Sequence, residues 1–120
     1  MGIDVLIVDD LTFIKMVLKD LVEKAGFRVV GEASDGEEAL KLYDEKRPDV
    51  VLLDITMPKM DGLTALKKIL EMDPQAKVIM CSALGQQRLI LQAIQLGAKD
   101  FIVKPFEESK VLDVIKKIFG

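Results

Sequence analysis

The sequence predicts an α/β fold, an open sandwich of about three layers with a parallel sheet between helices. Two observations predict it. Short apolar runs alternate with longer stretches of helical spacing, five times along the chain. The runs at Val5 and Val50 are also nearly all apolar, as strands covered on both faces must be. Strands separated by helices pair in parallel through right-handed crossovers.

The first strand is read at Val5–Val8. The helix after it carries Ile14, Val17, Leu18, Leu21, Val22 and Ala25 on one stripe, and Gly26 stands beyond as a stop. Arg28–Glu32 is the second strand. The stretch 34-SDGE-37 reads as a capping box headed by Ser34, opening a helix with Ala39, Leu40 and Tyr43. Val50–Leu53 is the third strand. Its helix runs from about Gly62 through Leu63, Leu66, Ile69 and Leu70, and Asp73-Pro74 ends it. Val78–Cys81 is the fourth strand, followed by a helix with Ile90, Ala93 and Ile94 that stops at Gly97. Phe101–Val103 is the fifth, and the last helix holds Val111, Val114, Ile115 and Ile118.

The 120 residues fit one domain, 1–120, with no linker or low-complexity tract. A 50% hydrophobic, 31% charged chain is globular rather than disordered. With 17 basic and 20 acidic residues the net charge is −3, which lacks the basic excess of a nucleic-acid binder. No apolar segment nears the roughly 18 residues of a membrane span, and no signal pattern opens the chain. The lone Cys81 allows no internal disulfide and fits a reducing compartment. A cytoplasmic monomer without nucleic-acid or membrane partners is expected. The chain has no histidine. That removes Ser–His and Cys–His nucleophile pairs and histidine metal ligands.

In open parallel sheets, ligands bind beyond the carboxyl ends of the strands. Asp9 and Asp10 follow the first strand, and Asp54 then Thr56 follow the third. Ser82 and Ala83 follow the fourth, and Lys104-Pro105 the fifth. Alone, each has a bland reading as a cap, a turn or a solvated charge. Together they converge on one edge. Three like charges a few ångströms apart repel and raise one another's pKa. A divalent cation relieves this, and Mg²⁺ (or Mn²⁺) takes oxygen ligands while keeping room for phosphate. One carboxylate is then left over. Aspartate can accept a phosphoryl group as an acyl phosphate. Such transfer needs positioning and positive charge around the equatorial oxygens, which the cation and Lys104 can supply. Ser82 can donate a hydrogen bond to one of them. Asp54, at the mouth of a buried strand, is the candidate acceptor.

These residues, with 54-DITMPKMDG-62, 80-MCSALGQQ-87 and 97-GAKDFIVKPF-106, resemble the receiver domains of bacterial two-component response regulators. The likeness is strongest to the stand-alone chemotaxis regulators and covers essentially the whole chain. It implies a three-layer (βα)5 flavodoxin-like sandwich whose parallel five-stranded sheet runs in the order 2-1-3-4-5. It implies Asp54 as phosphoacceptor, and Mg²⁺ held by Asp9, Asp10, Asp54 and the Thr56 backbone carbonyl, Asp10 foremost. Lys104 pairs with the phosphoryl oxygens, and the Lys104–Pro105 bond is cis. Ser82 is the switch hydroxyl and Phe101 the switch aromatic, turning into space that Ser82 vacates. Met57-Pro58 and Gly62 shape the neighbouring loop.

The resemblance also implies partners. A histidine kinase donates the phosphoryl group, and a flagellar motor switch or an adaptor/phosphatase protein reads the result. The only catalysis implied is of the chain's own phosphorylation and dephosphorylation. Thr56 and Leu84 occupy places that tune water access, with Leu84 expected to shield the phosphoryl group. Ala83 is small and leaves the entrance open. Leu89, Leu91, Leu96, Leu112 and Phe119 exceed what the core stripes need. They either widen the core or form a partner patch.

Other readings use similar parts. A phosphatase of the haloacid dehalogenase type needs D-x-D-x-T, and 9-DDLT-12 has the wrong spacing. A flavin carrier needs a Ser/Thr/Gly phosphate loop where two aspartates stand. A receiver fragment of a longer transcriptional or other output regulator is the remaining alternative.

Overall fold

A computed structural model describes residues 2–119, so Met1 and Gly120 lie outside the described residues. Five strands alternate with five helices: β1 (Asp4–Val8), α1 (Thr12–Lys24), β2 (Arg28–Ala33), α2 (Gly36–Lys46) and β3 (Val50–Asp54). Then come α3 (Gly62–Met72), β4 (Val78–Ser82), α4 (Gln87–Leu96), β5 (Asp100–Val103) and α5 (Glu108–Phe119). All neighbouring strands pair in parallel. The sheet order is β2-β1-β3-β4-β5, so the flavodoxin-like expectation holds.

The period-two geometry of strands splits the core into two layers. Leu6, Val8, Val51, Leu53, Val78 and Met80 face α2, α3 and α4. Val5, Ile7, Val50, Leu52, Ile79, Cys81 and Ile102 face α1 and α5. Each fully buried Leu or Ile contributes roughly 1.5–3 kcal/mol. With both faces covered, β1, β3 and β4 are buried from end to end apart from the first residue of β1.

Each strand runs one residue further than the apolar pattern suggested, and in two of them the added residue is polar and at the carboxyl end. β3 includes Asp54 and β4 includes Ser82, and both side chains are buried. Polar residues therefore complete the ladder at the functional edge instead of emerging beyond it.

The cap of α2 also differs from expectation. Asp35, not Ser34, is the N-cap, and its side chain accepts the Glu38 backbone N–H. Glu38, not Glu37, reaches back to the Ser34 N–H at 2.6 Å. The Ser34 hydroxyl is taken instead by the buried Lys15 ammonium. On α4, Ala93 with Leu89 and Ile90 packs inward, while Ile94 at the stripe's edge is exposed. Among the surplus apolar residues, Leu89 and Leu112 pack partly against the core. Leu91, Leu96 and Phe119 face solvent.

α3 opens with Asp61, which accepts the Thr64 N–H at 2.8 Å. Just inside, Gly62 passes so close to β3 that an added Cβ would lie 2.6 Å from Ile55 Cα. Its N–H donates to the Ile55 carbonyl at 2.7 Å. A side chain there must push α3 off the strand that carries Asp54. Gly62→Ala should lower stability by about 2 kcal/mol or more, within the cost of overpacking a core. Urea unfolding measures it, and an unchanged midpoint would mean that the loop yields freely.

Candidate functional site

The carboxyl ends of β1, β3, β4 and β5 meet at one edge because parallel pairing brings all strand ends to the same side. Val8 pairs with Leu53, Asp54 with Cys81, and Ser82 with Val103. Asp9, Asp54, Ser82 and Lys104 are therefore delivered to one place by four adjacent strands. Asp9, Asp10 and Asp54 each offer a carboxylate oxygen, and these oxygens lie within 4.8 Å of one another.

Asp9 is fully buried and both its oxygens are engaged. Oδ1 accepts the Leu11 N–H at 2.9 Å, and Oδ2 accepts Lys104 Nζ at 2.8 Å. The same ammonium lies 3.3 Å from Asp54 Oδ1. Asp10 is exposed and stands on the solvent side of the cluster. The Lys104–Pro105 bond is cis.

Burial drives the electrostatics. Loss of water around Asp54, then the nearby Asp9 charge, pushes its pKa up from the ordinary 3.8 to about 6. The Lys104 charge and hydrogen bond pull the other way without cancelling the rise. Burial lowers Lys104, but the Asp9 hydrogen bond and the Asp54 and Asp9 charges outweigh it, and its pKa is raised. Three carboxylates against one ammonium leave the edge short of positive charge. An all-oxygen set of this kind suits a hard divalent cation such as Mg²⁺ and not a thiolate- or imidazole-seeking metal. The site therefore fits Mg²⁺.

One step beyond Cys81, Ser82 Oγ is buried and has no hydrogen-bond partner, alone among the described residues. A buried hydroxyl left unpaired is costly and invites an incoming acceptor. Thr56 is exposed in the loop after β3, and Phe101 is 38% exposed on β5. Leu84 is 80% exposed and covers nothing in this arrangement, so shielding requires its loop to fold inward.

The family model for the response regulator receiver domain matches residues 5–116. The chain belongs to the response regulator receiver family. A Thermotoga maritima relative named chemotaxis protein CheY is 54% identical to this receiver, over 98% of both chains. The Bacillus subtilis protein of the same name is 57% identical over 94% of both. A chain in the crystal structure of the CheX–CheY–BeF3–Mg²⁺ complex from Borrelia burgdorferi superposes with a TM-score of 0.94. It is 46% identical, over 98% of this chain and 90% of that one.

Two residues of the receiver's edge escaped the sequence reading. Gln86 joins the loops after β3 and β4 through its amide. Lys15 is buried under the edge on α1. No periodicity marks Gln86, and Lys15 lies off the apolar stripe of α1; only the fold shows what they touch.

The raised pKa of Asp54 makes stability depend on pH. The folded chain binds this proton more tightly than the unfolded one. Between the ordinary 3.8 and about 6, the native state therefore holds more protons. Its contribution to stability falls as pH rises through that window, and the penalty is complete above it. Without divalent ions at neutral pH, Asp54→Asn should be more stable than wild type by ~1–3 kcal/mol. The gain should fade as pH drops toward 4, roughly the unfolded value. Thermal unfolding across pH checks this; a pH-independent gain would contradict it.

Proposed function

We propose that the whole chain acts as one receiver unit in which Asp54 takes a phosphoryl group from a partner's phosphohistidine. The Asp54 oxygen forms a bond to phosphorus as the phosphorus–nitrogen bond breaks, and the released imidazole nitrogen takes a proton. The chain holds no histidine, so the phosphohistidine belongs to another protein, and a histidine kinase is the expected donor. The observation that carries this reading is the buried Asp54 carboxylate, held by Lys104 at 3.3 Å beside the unpartnered Ser82 hydroxyl.

The residues divide the work. Asp54 is largely ionised at neutral pH, as a nucleophile must be, yet it is poorly solvated. Lys104 already reaches two carboxylates and can turn to the phosphoryl oxygens. Ser82 supplies a donor with nothing else to bond. Asp10 has exposed oxygens to offer a cation, while Asp9 orients Lys104. Asp9, directly or through water, Asp54 and the Thr56 carbonyl would complete the ligand set. Mg²⁺, when bound, balances the carboxylates and adds positive charge beside the phosphoryl oxygens.

Phosphorylation brings about −1.5 to −2 charge and three acceptors. Ser82 moves toward them, and Phe101 turns inward from its partly exposed position. Between α4 and β5 lies an apolar groove of about 450 Å³ lined by Leu84, Ile90, Leu91, Ile94, Phe101 and Val103. This groove is the face that a partner reads. The CheY relatives support a chemotactic role, for which a cytoplasmic place is expected. The Borrelia complex supports an adaptor or phosphatase partner, and a motor switch is the further expected target. The two CheY relatives are matched over 94–98% of their own length, so the likeness spans the whole of those proteins.

Acetyl phosphate with Mg²⁺ should add one phosphoryl group by intact mass, and neither Mg²⁺-free protein nor Asp54→Asn should gain it. Labelling of Asp54→Asn would overturn the assignment. Leu112 is half-buried, so the better probe of the partner face is the exposed Leu91. Leu91→Asp should weaken capture by an adaptor or phosphatase by roughly tenfold or more, as at interface anchors. Labelling should be intact, and unchanged capture would place the interface elsewhere.

A further inference from the structure

Gln86 stands at the N-cap position of α4, yet its side chain caps nothing there. N-cap side chains ordinarily accept an N–H from the first helical turn. Here the amide turns away from its own helix. Oε1 accepts the Ala83 backbone N–H at 2.7 Å, and Nε2 donates to Thr56 Oγ1 at 3.0 Å. Gly85, at φ +90, makes the left-handed turn between Ala83 and Gln86. One side chain thus ties the start of α4 to the residue after Ser82 and to the residue two past Asp54.

What it ties is loosely held. Of the ten residues of α4 only Ala93 is buried, whereas α1 and α3 each bury four. An element with few buried apolar contacts opens at low cost. The position of α4 therefore depends more than that of other helices on polar contacts at its ends. Its C-terminal end is closed by backbone bonds from Gly97 and Ala98. Its N-terminal end has Gln86.

We propose that Gln86 is a positioning residue, a two-ended amide latch that holds the start of α4 to the loop after Asp54. The latch keeps the Ala83 N–H occupied next to the unpartnered Ser82 hydroxyl. Displacing either loop strains one end of the amide and loosens α4. The consequence for signalling rests on Asp54 being the phosphoacceptor, but the latch itself does not. The bonds are exposed, so each is weak and can reverse, as a switch requires.

The test begins on unmodified protein without metal or phosphodonor. Gln86→Met keeps size and removes both polar ends; Thr56→Val removes only one. Amide hydrogen exchange at Ala83 should quicken roughly three- to tenfold in Gln86→Met, the range expected for one lost hydrogen bond. In Thr56→Val it should stay near the wild-type rate, because the Oε1 end survives. The Ile90 amide, bonded to the Gln86 carbonyl at the start of α4, should exchange faster in both variants. The double variant should match Gln86→Met alone, since the two residues act through one bond. Exchange at Ala83 unchanged in Gln86→Met overturns the latch. Then, with acetyl phosphate and Mg²⁺, the rate of phosphoryl loss should differ at least twofold between wild type and Gln86→Met. Wild type that takes no label refutes the Asp54 reading, and the latch is then decided by exchange alone. Equal loss rates with faster exchange overturn its coupling to the switch.

Discussion

A single ammonium, Lys104 Nζ, stands 2.8 Å from Asp9 and 3.3 Å from Asp54, inside an edge where both carboxylates are buried. Two buried negative charges so close repel, and neither has bulk water to soften the repulsion. The cation between them lets the strand ends close over the site at all. It does not finish the task. Asp54 still holds its proton up to about pH 6, and Asp10 adds a third charge on the solvent side. The folded chain is built with a local excess of negative charge, which a divalent cation would relieve. Such an ion would also supply positive charge for the phosphoryl transfer proposed for Asp54.

The fold sustains this tension by spending its apolar residues elsewhere. β1, β3 and β4 are sealed on both faces by helices, so the polar ends of the strands are carried by a rigid sheet. Gly62 lets α3 start against β3 without displacing Asp54, and Asp61 caps that start. Rigidity is unevenly spread. α1 and α3 are anchored by several core side chains, while α4 rests on Ala93 and the partly buried Leu89 and Ile90. The helix beside the site that is held least is also the one whose groove lies open next to Phe101. Around Asp54 there is a sheet sealed on both faces on one side and a lightly anchored helix on the other. That asymmetry is what a switch requires.

Much of this was legible in the sequence. The apolar runs and helical stripes placed all five strands and helices, since burial on two faces leaves few other patterns. The alignment of Asp9, Asp54, Ser82 and Lys104 at strand ends followed from parallel topology alone. What escaped depended on side-chain direction. Ser34 looked like a cap, but Lys15 takes its hydroxyl and Asp35 does the capping. Ile94 fitted the apolar stripe of α4, yet a one-step roll about Ala93 leaves it in solvent. Gln86 carries no signal in composition or spacing, because its partners Thr56 and Ala83 come from two different loops.

The site depends on the charge state of one carboxyl group, and carbon NMR of the Asp54 side chain reads it directly. Titrated without divalent ions, the Asp54 carboxyl should change protonation near the value of about 6 set by burial and Asp9. On adding Mg²⁺ the midpoint should move down by a unit or more, roughly the effect of a nearby opposite charge. An Asp54 that titrates at the ordinary 3.8 and ignores Mg²⁺ would contradict the account.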